Sequence, residues 1–191
     1  MNEPTSAGYN FVFDHIFPSN TSQQQMYEVT AKPVVMSCLA GFNGTVFAYG
    51  QTSSGKTFTM QGPNLHDKEM KGLTPRMIEE IYNTIDTMPE TTEFLIQISI
   101  TEVYKEKLRD LLDITQTNLK IRETPGKGIY VDGVTEKYAA TQSDIWSIME
   151  FAYSNRVVGH TNMNAGSSRS HLIVMLSIYQ NDKLVPNVGI Y

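Results

Sequence analysis

Apolar residues recur at helical spacing in three stretches of this 191-residue chain. Capping boxes at residues 22–25 and 141–144 precede two of the stretches, and the third follows Thr74-Pro75, a pair that suits an N-cap and a first-turn proline. Pro33 lies inside the first predicted helix, where it removes a hydrogen bond and should kink or split the element. The residues predicted to face the core are Tyr27, Ala31, Val34, Val35 and Cys38; Leu73, Met77, Ile78, Ile81 and Ile85; and Ile145, Ile148, Met149 and Ala152.

Strand-like patterns occupy most of the other apolar segments. Alternation over residues 94–101 predicts a long strand with one wetter face. Uninterrupted apolar runs at 172–176 and 45–49 predict buried strands, the first of them central in its sheet, and residues 9–13 predict a further strand. Residues 106–113 are interpreted as a short amphipathic helix.

Three short strand-like pieces, at residues 119–121, 129–131 and 134–138, predict a small protruding β lobe at about 117–139. Helices and strands otherwise alternate along the chain. The sequence therefore predicts one α/β domain built in layers, with a central, mostly buried sheet flanked by helices.

Composition narrows the class of protein. The formal charge of −5 argues against a general nucleic-acid-binding protein, because neutralising phosphates needs clustered Lys and Arg. Cys38 is the only cysteine, which excludes a disulfide framework and a thiolate zinc site and favours a reducing, cytosolic setting. No apolar run approaches the length of a membrane span, so membrane insertion is not expected.

A glycine-rich segment at residues 50–57 fits the phosphate-binding pattern G-x-x-x-x-G-K-[ST] at every fixed position. Glycines let a triphosphate approach successive backbone N–H groups, and the following helix turns its free N–H groups and positive dipole end toward the anion. In this pattern Lys56 reaches the β- and γ-phosphates and the Thr57 hydroxyl binds Mg²⁺. The predicted nucleotide contacts are Gly50, Gln51, Thr52, Ser53, Ser54, Gly55, Lys56, Thr57 and Phe58.

A second polar cluster, at residues 164–171, precedes the apolar run at 172–176. Small hydroxyl residues and Arg169 dominate it. Loops at the ends of buried strands are where α/β proteins place ligand-contacting groups, although a capping or turn segment would have a similar composition.

Both clusters resemble those of kinesin motor domains. Residues 43–57, Asn-Gly-Thr-Val-Phe-Ala-Tyr followed by the glycine-rich segment, are similar to the phosphate loop of that family. Residues 164–171 are similar to its switch I motif, N-x-x-S-S-R-S-H. Segments 11–17, 110–112 and 154–156 resemble other parts of the family pattern, which is closest to that of conventional kinesin heavy chains.

The resemblance implies a microtubule-stimulated ATPase that uses ATP and Mg²⁺, in the cytoplasm on microtubules. Ser168 would approach Mg²⁺, Asn164 and Ser167 would contact the γ-phosphate and position water, and Arg169 would pair with a switch II glutamate. Phe58 would stack on adenine, and is otherwise a core side chain. Tubulin contacts in the β lobe would come from Lys120, Arg122 and Lys127, which are otherwise solvated cations.

Parts of the family pattern are not found in the sequence. No aspartate is followed by glycine three residues later, so the switch II pattern D-x-x-G-x-E is absent, and the family's first strand would precede Met1. The sequence therefore indicates a partial motor domain over residues 1–191, with no visible oligomerisation segment. Two other interpretations remain open: a kinesin-like protein that binds nucleotide or tubulin with little turnover, and a metabolic or signalling P-loop enzyme, for which the switch I motif would have no purpose.

Overall fold

The computed structural model describes residues 10–126, 128–158 and 170–182. Five helices and six strands lie in these ranges. The helices are α1 (Gln23–Thr30), α2 (Lys32–Leu39), α3 (Lys56–Met60), α4 (Leu73–Asp86) and α5 (Gln142–Val158), and the strands are β1 (Thr92–Tyr104), β2 (Lys107–Asp110), β3 (Thr117–Thr124), β4 (Gly128–Asp132), β5 (Lys137–Tyr138) and β6 (Ser170–Asp182).

Strand β1 is the centre of the described sheet. Strand β6 pairs with β1 along its full length, from Thr92↔Asp182 to Tyr104↔Ser170. Strands β2 and β5 also pair with β1, and the order β4-β3-β2-β1-β5 continues the sheet away from β6. Every pairing in the described ranges is antiparallel.

The core lies between one face of β1 and the helices. Ile96, Ile98 and Ile100 point to this face because alternate residues of a strand share a side. Helices α4 and α5 cover them with the residues that the periodicity predicts, including Ile78 and Met149. The result is the α/β layered fold expected from the sequence. In the described ranges no helix is both long and apolar enough to cross a membrane.

The capping boxes predicted for the first and last helices are confirmed. Ser22 and Gln25 form a reciprocal capping box at the start of α1. Thr141 and Asp144 exchange bonds in the same way, with the Thr141 N–H donating to Asp144 Oδ2 over 2.8 Å. These backbone and hydroxyl donors hold the pKa of Asp144 below its usual range. The carboxylate is therefore ionised at neutral pH and stabilises the start of α5.

Pro33 splits the first predicted helix, as expected. Helix α1 ends at Thr30 and α2 begins at Lys32, with Ala31 as the joint between them. The proline takes a first-turn position of α2, where its missing N–H has no intrahelical partner to lose.

Two predictions of local structure are wrong, an N-cap residue and the type of one element. Helix α4 begins at Leu73 with Gly72 as its N-cap, so Thr74 is not the cap and its buried side chain makes no capping bond. The segment 106–113 contains strand β2 rather than an amphipathic helix. Lys105 and Glu106 have φ values of 50° and 61°, which makes a tight turn that returns the chain along β1.

Two predicted strands are also not found. Residues 10–13 and 45–49 form no ladder with any described strand, and Phe47 and Tyr49 are 79% and 95% exposed. Strand identity depends on a partner that local pattern cannot supply. The run at 172–176 does lie in a strand, β6, but it pairs with β1 alone in the described ranges and Met175 is half exposed, so the expected central position is not observed.

The segment predicted as a β lobe, about residues 117–139, contains three strands. Strands β3 and β4 form a hairpin with pairs from Lys120↔Asp132 to Thr124↔Gly128. The third predicted piece contains β5, which joins β1 of the main sheet through Gln97↔Tyr138 and Ile98↔Lys137. The part of this segment that does not pair with β1 is therefore the β3–β4 hairpin, most of whose residues are exposed.

Candidate functional site

The glycine-rich segment bends sharply into helix α3. Gly55 is the N-cap of that helix and has φ 91°, a left-handed conformation that favours glycine. Residues 51–55 are exposed, so the loop lies open on the surface. The Thr59 N–H donates to the Gly55 carbonyl over 2.8 Å, which begins the helix directly behind the bend.

The two fixed glycines serve different physical needs. A Cβ at Gly50 would lie 2.5 Å from Ser54 Oγ, so a side chain there would collide with the far side of the loop. A Cβ at Gly55 would meet nothing within 4 Å. Gly55 is therefore favoured by its backbone angle, whereas a side chain at Gly50 would require the Ser54 hydroxyl to move.

Lys56 turns its ammonium group back into the loop. Nζ donates to the Gly50 carbonyl over 2.7 Å and to the Gln51 carbonyl over 2.6 Å. A positive charge therefore lies at the mouth of the bend, beside the exposed backbone of residues 51–55. This arrangement suits a polyphosphate, because lysine binds phosphate as a mobile point charge.

Thr57 and Phe58 follow Lys56 in helix α3, and both side chains reach the surface. The Thr57 hydroxyl supplies the hard oxygen that Mg²⁺ prefers, and no group of three His, Cys, Asp or Glu side chains suited to a metal occurs in the described part of the chain. A single hydroxyl would hold Mg²⁺ only together with further oxygen ligands, such as those of a phosphate. Phe58 is 46% exposed, which leaves one side of its ring open, and its stacking on adenine stays a prediction.

Helix α3 is fastened to its surroundings behind the loop. The buried Gln23 side chain donates from Nε2 to the Phe58 carbonyl over 2.7 Å. A Cβ at Gly62 would lie 2.4 Å from the Met70 carbonyl oxygen, and one at Gly72 would lie 2.5 Å from the Thr59 carbonyl oxygen. Helix α1 and the start of α4 therefore hold the loop-bearing helix from two sides.

The connection between α3 and α4 is closed by a carboxylate. Asp67 Oδ1 accepts from the Met70 N–H over 2.7 Å and from the Glu69 N–H over 2.9 Å. These donors hold the pKa of Asp67 below its usual range, so the turn keeps its charge at neutral pH. Arg76 adds a second clamp, donating from Nη2 to the Glu69 carbonyl over 2.9 Å.

The switch I side chains lie mostly outside the described residues. Asn164, Ser167, Ser168 and Arg169 precede the first described residue of β6, Ser170, and their roles stay predictions. Ser170 and His171 are described, and Ser170 Oγ accepts from Arg156 Nη2 over 3.1 Å. The structure therefore describes the two elements that flank this motif, α5 and β6.

A buried carboxylate beside this junction has no counterpart in the sequence predictions. Glu102 is 0% exposed and accepts from Arg109 and Arg156. A signal for it was present: Glu102 continues the inward register of Ile96, Ile98 and Ile100, and a charge at such a position needs a buried partner.

The predicted tubulin contacts differ in their environments. Lys120 is exposed on β3. Arg122 Nε lies 2.5 Å from Asp132 Oδ2 across the β3–β4 hairpin, and this bond holds the pKa of the arginine above its usual value. Lys127 lies outside the described residues. Among its described residues, the hairpin thus presents Lys120 as an exposed cation and Arg122 as a cation paired within the hairpin.

Comparison with known proteins gives one consistent family. The model for the kinesin motor domain matches residues 1–187. The chain is 46% identical over 187 residues to Kinesin-related protein 3 of Dictyostelium discoideum, covering 96% of this chain and 16% of that protein. It is 47% identical over 175 residues to human Kinesin heavy chain isoform 5A, covering 92% of this chain and 17% of that protein.

A solved structure agrees with this result. The structure of a fast kinesin superposes with a TM-score of 0.86 at 38% identity, covering 90% of this chain and 49% of that chain. The chain therefore spans about a sixth of the length of these curated relatives and about half of the solved chain.

Proposed function

This chain belongs to the kinesin motor-domain family, and on that premise we propose that it binds ATP with Mg²⁺ and couples ATP hydrolysis to microtubule binding and movement. The observation that carries the proposal is the loop at residues 50–57. It combines a left-handed Gly55, the Lys56 ammonium at the mouth of the bend and an exposed backbone leading into a helix.

The loop residues would divide the work of holding the triphosphate. Backbone N–H groups of residues 51–56 would donate to phosphate oxygens, and Lys56 would move from the loop carbonyls to the β- and γ-phosphates. Thr57 would hold Mg²⁺, which when bound neutralises charge on the transferring phosphoryl group. Phe58 would contact the adenine from its open side.

The switch I residues would complete the site from the other side. By their match to the family motif, Asn164 and Ser167 would contact the γ-phosphate and orient the attacking water. Ser168 would approach Mg²⁺, and Arg169 would pair with the glutamate of switch II. Catalysis of this kind depends on positioning and charge neutralisation more than on covalent chemistry by the protein.

The partner would be the microtubule, and the setting the cytoplasm. Lys120 on the exposed β3–β4 hairpin supports this, because tubulin-facing cations must be open to an approaching surface. Arg122 would have to exchange Asp132 for an acidic group on the partner. Lys127 is proposed as a third contact from its place in the sequence alone.

A second candidate function is nucleotide and tubulin binding with little turnover. The two candidates agree on the loop and differ only in whether bound ATP is hydrolysed at a useful rate.

Replacing Thr57 with Ala tests the proposal through its Mg²⁺ requirement. In the full-length protein, we expect the Mg²⁺ concentration for half-maximal microtubule-stimulated phosphate release to rise tenfold or more, because a metal ligand is lost. Phosphate release is measured across a magnesium titration, with and without microtubules.

Thr59→Ala is the matched control, since Thr59 lies two residues further along the same short helix, and it should keep the parent magnesium dependence. A parent protein that binds ATP but shows no microtubule-stimulated release would favour the second candidate. Equal magnesium curves for Thr57→Ala and Thr59→Ala would contradict the proposed metal site.

A further inference from the structure

Glu102 is a fully buried carboxylate that accepts hydrogen bonds from two arginines. It lies on the helix-covered face of β1, and its side chain is 0% exposed. Arg109 Nη1 donates to Glu102 Oε2 over 3.4 Å, and Arg156 Nε donates to Glu102 Oε1 over 3.3 Å. Each carboxylate oxygen therefore holds a different element: strand β2 through Arg109 and helix α5 through Arg156.

The Arg156 side of this cluster reaches the elements that flank the switch I motif. Arg156 lies in the last turn of α5, which leads into residues 159–169. Its second nitrogen, Nη2, donates to the hydroxyl of Ser170, the first residue of β6, over 3.1 Å. Arg156 therefore bonds both to Glu102 on β1 and to Ser170 at the start of β6, and it lies itself at the end of α5.

The Arg109 side reaches the β3–β4 hairpin. Arg109 lies directly opposite Glu102 in the β1–β2 ladder. It also pairs with Thr117 at the start of β3, while its neighbour Leu108 pairs with Leu119 across an irregular register. The hairpin is therefore connected to Arg109 by two successive backbone ladders, β4–β3 and β3–β2.

The cost of burying this carboxylate indicates more than a packing role. Removing a carboxylate from water costs several kcal/mol, and an apolar residue in the same register, as at Ile100, would fill the space without that cost. The two arginines offset the cost, and they connect Glu102 to strand β2 and to helix α5.

We propose that Glu102 and Arg109 are positioning residues that couple the β3–β4 hairpin to the flanks of the switch I motif through Arg156. Microtubule contact at the hairpin shifts β2 and with it Arg109. The Glu102 carboxylate, which bonds both arginines, moves with Arg109 and repositions Arg156 and its partner Ser170. This coupling rests on the proposed function, because it assumes that the hairpin meets tubulin and that the motif acts on ATP.

Replacing Arg109 with Met in the full-length protein tests the coupling. Methionine keeps an unbranched stem and removes the charge. We expect basal ATP turnover to stay within about twofold of the parent and the maximal microtubule-stimulated rate to fall about tenfold, a size typical of coupling between sites. Lys107→Met, an exposed charge removal on the same strand, should leave both rates unchanged.

The ratio of stimulated to basal turnover decides the result. A merely structural role for Arg109 would lower both rates together and leave their ratio at the parent value, which would overturn the coupling. If Arg109→Met does not fold, Arg109→Gln removes the charge while keeping a polar side chain, and a parent-like ratio in that variant would likewise overturn the coupling. A parent protein that microtubules do not stimulate overturns the proposed function and the coupling together.

Discussion

Replacing Lys56 with Met is expected to lower kcat/KM for ATP about a thousandfold or more. The Lys56 ammonium lies at the loop mouth, 2.7 Å from the Gly50 carbonyl and 2.6 Å from the Gln51 carbonyl, so it can reach a phosphate without a change of backbone. A charge aimed at the transferring phosphoryl group acts most strongly in the transition state, and a thousandfold loss corresponds to about 4 kcal/mol. Steady-state turnover in the full-length protein measures it.

The control for this prediction is Lys68→Met, which removes an exposed lysine from the connection between α3 and α4. Its turnover should match the parent. Since Lys56 also bonds two loop carbonyls, Lys56→Met should be compared with the parent for unfolding of the domain. An unchanged unfolding midpoint together with parent-like kcat/KM would show that Lys56 does not act on phosphate.

Replacing Asp110 with Ala is expected to destabilise the fold by about 3–5 kcal/mol, since it removes the acceptor of three backbone N–H groups, one in a buried and two in part-buried hydrogen bonds. Asp110 is 0% exposed at the end of β2. Its Oδ1 accepts from the N–H groups of Leu112 and Asp113 over 2.7 and 3.2 Å, and its Oδ2 accepts from the N–H of Thr135 over 2.6 Å. One side chain therefore ties the end of β2 to the segment that precedes β5.

Urea unfolding measures this loss, with fluorescence of Trp146, the single tryptophan of the chain, as the signal. For a slope of about 2 kcal/mol per molar urea, the midpoint should fall by about 1.5–2.5 M. Asp110→Asn keeps one acceptor oxygen but turns an NH₂ donor toward Thr135 or toward the other two donors, so its midpoint should lie between those of Asp110→Ala and the parent.

Asp113→Ala is the matched control, because Asp113 is a neighbouring carboxylate whose bonds, to Thr115 and Gln116, stay within its own turn. It should unfold close to the parent midpoint. If Asp110→Ala and Asp113→Ala unfolded at the same urea concentration, the three bonds of Asp110 would not stabilise the fold as described.

The predictable parts of this fold are those set by short-range rules. Helix faces followed from spacing, and Pro33 split its helix because the missing N–H is a local property. The misread segment at 106–113 shows the limit. Its turn has Lys105 and Glu106 at positive φ, where glycine or asparagine is usual. The local sequence therefore gave no indication of a hairpin.

The candidate site divides in the same way. Residues 50–57 were readable because the bend and the helix start are encoded by neighbouring residues, and the structure places Gly55 and Lys56 accordingly. The Glu102 cluster was not readable, since Arg156 lies 54 residues further along the chain. Its only local trace is a charge in an apolar register, which does not reveal its partners.

Hydrogen exchange of the backbone amides of residues 51–57 tests the central claim most directly. The claim is that a triphosphate accepts hydrogen bonds from this exposed stretch of backbone. In the full-length protein, saturating MgATP should slow exchange of these amides at least tenfold relative to magnesium alone, while the connection between α4 and β1, residues 87–91, keeps its exchange rates. Unchanged exchange across residues 51–57 under conditions where ATP is bound would contradict the account.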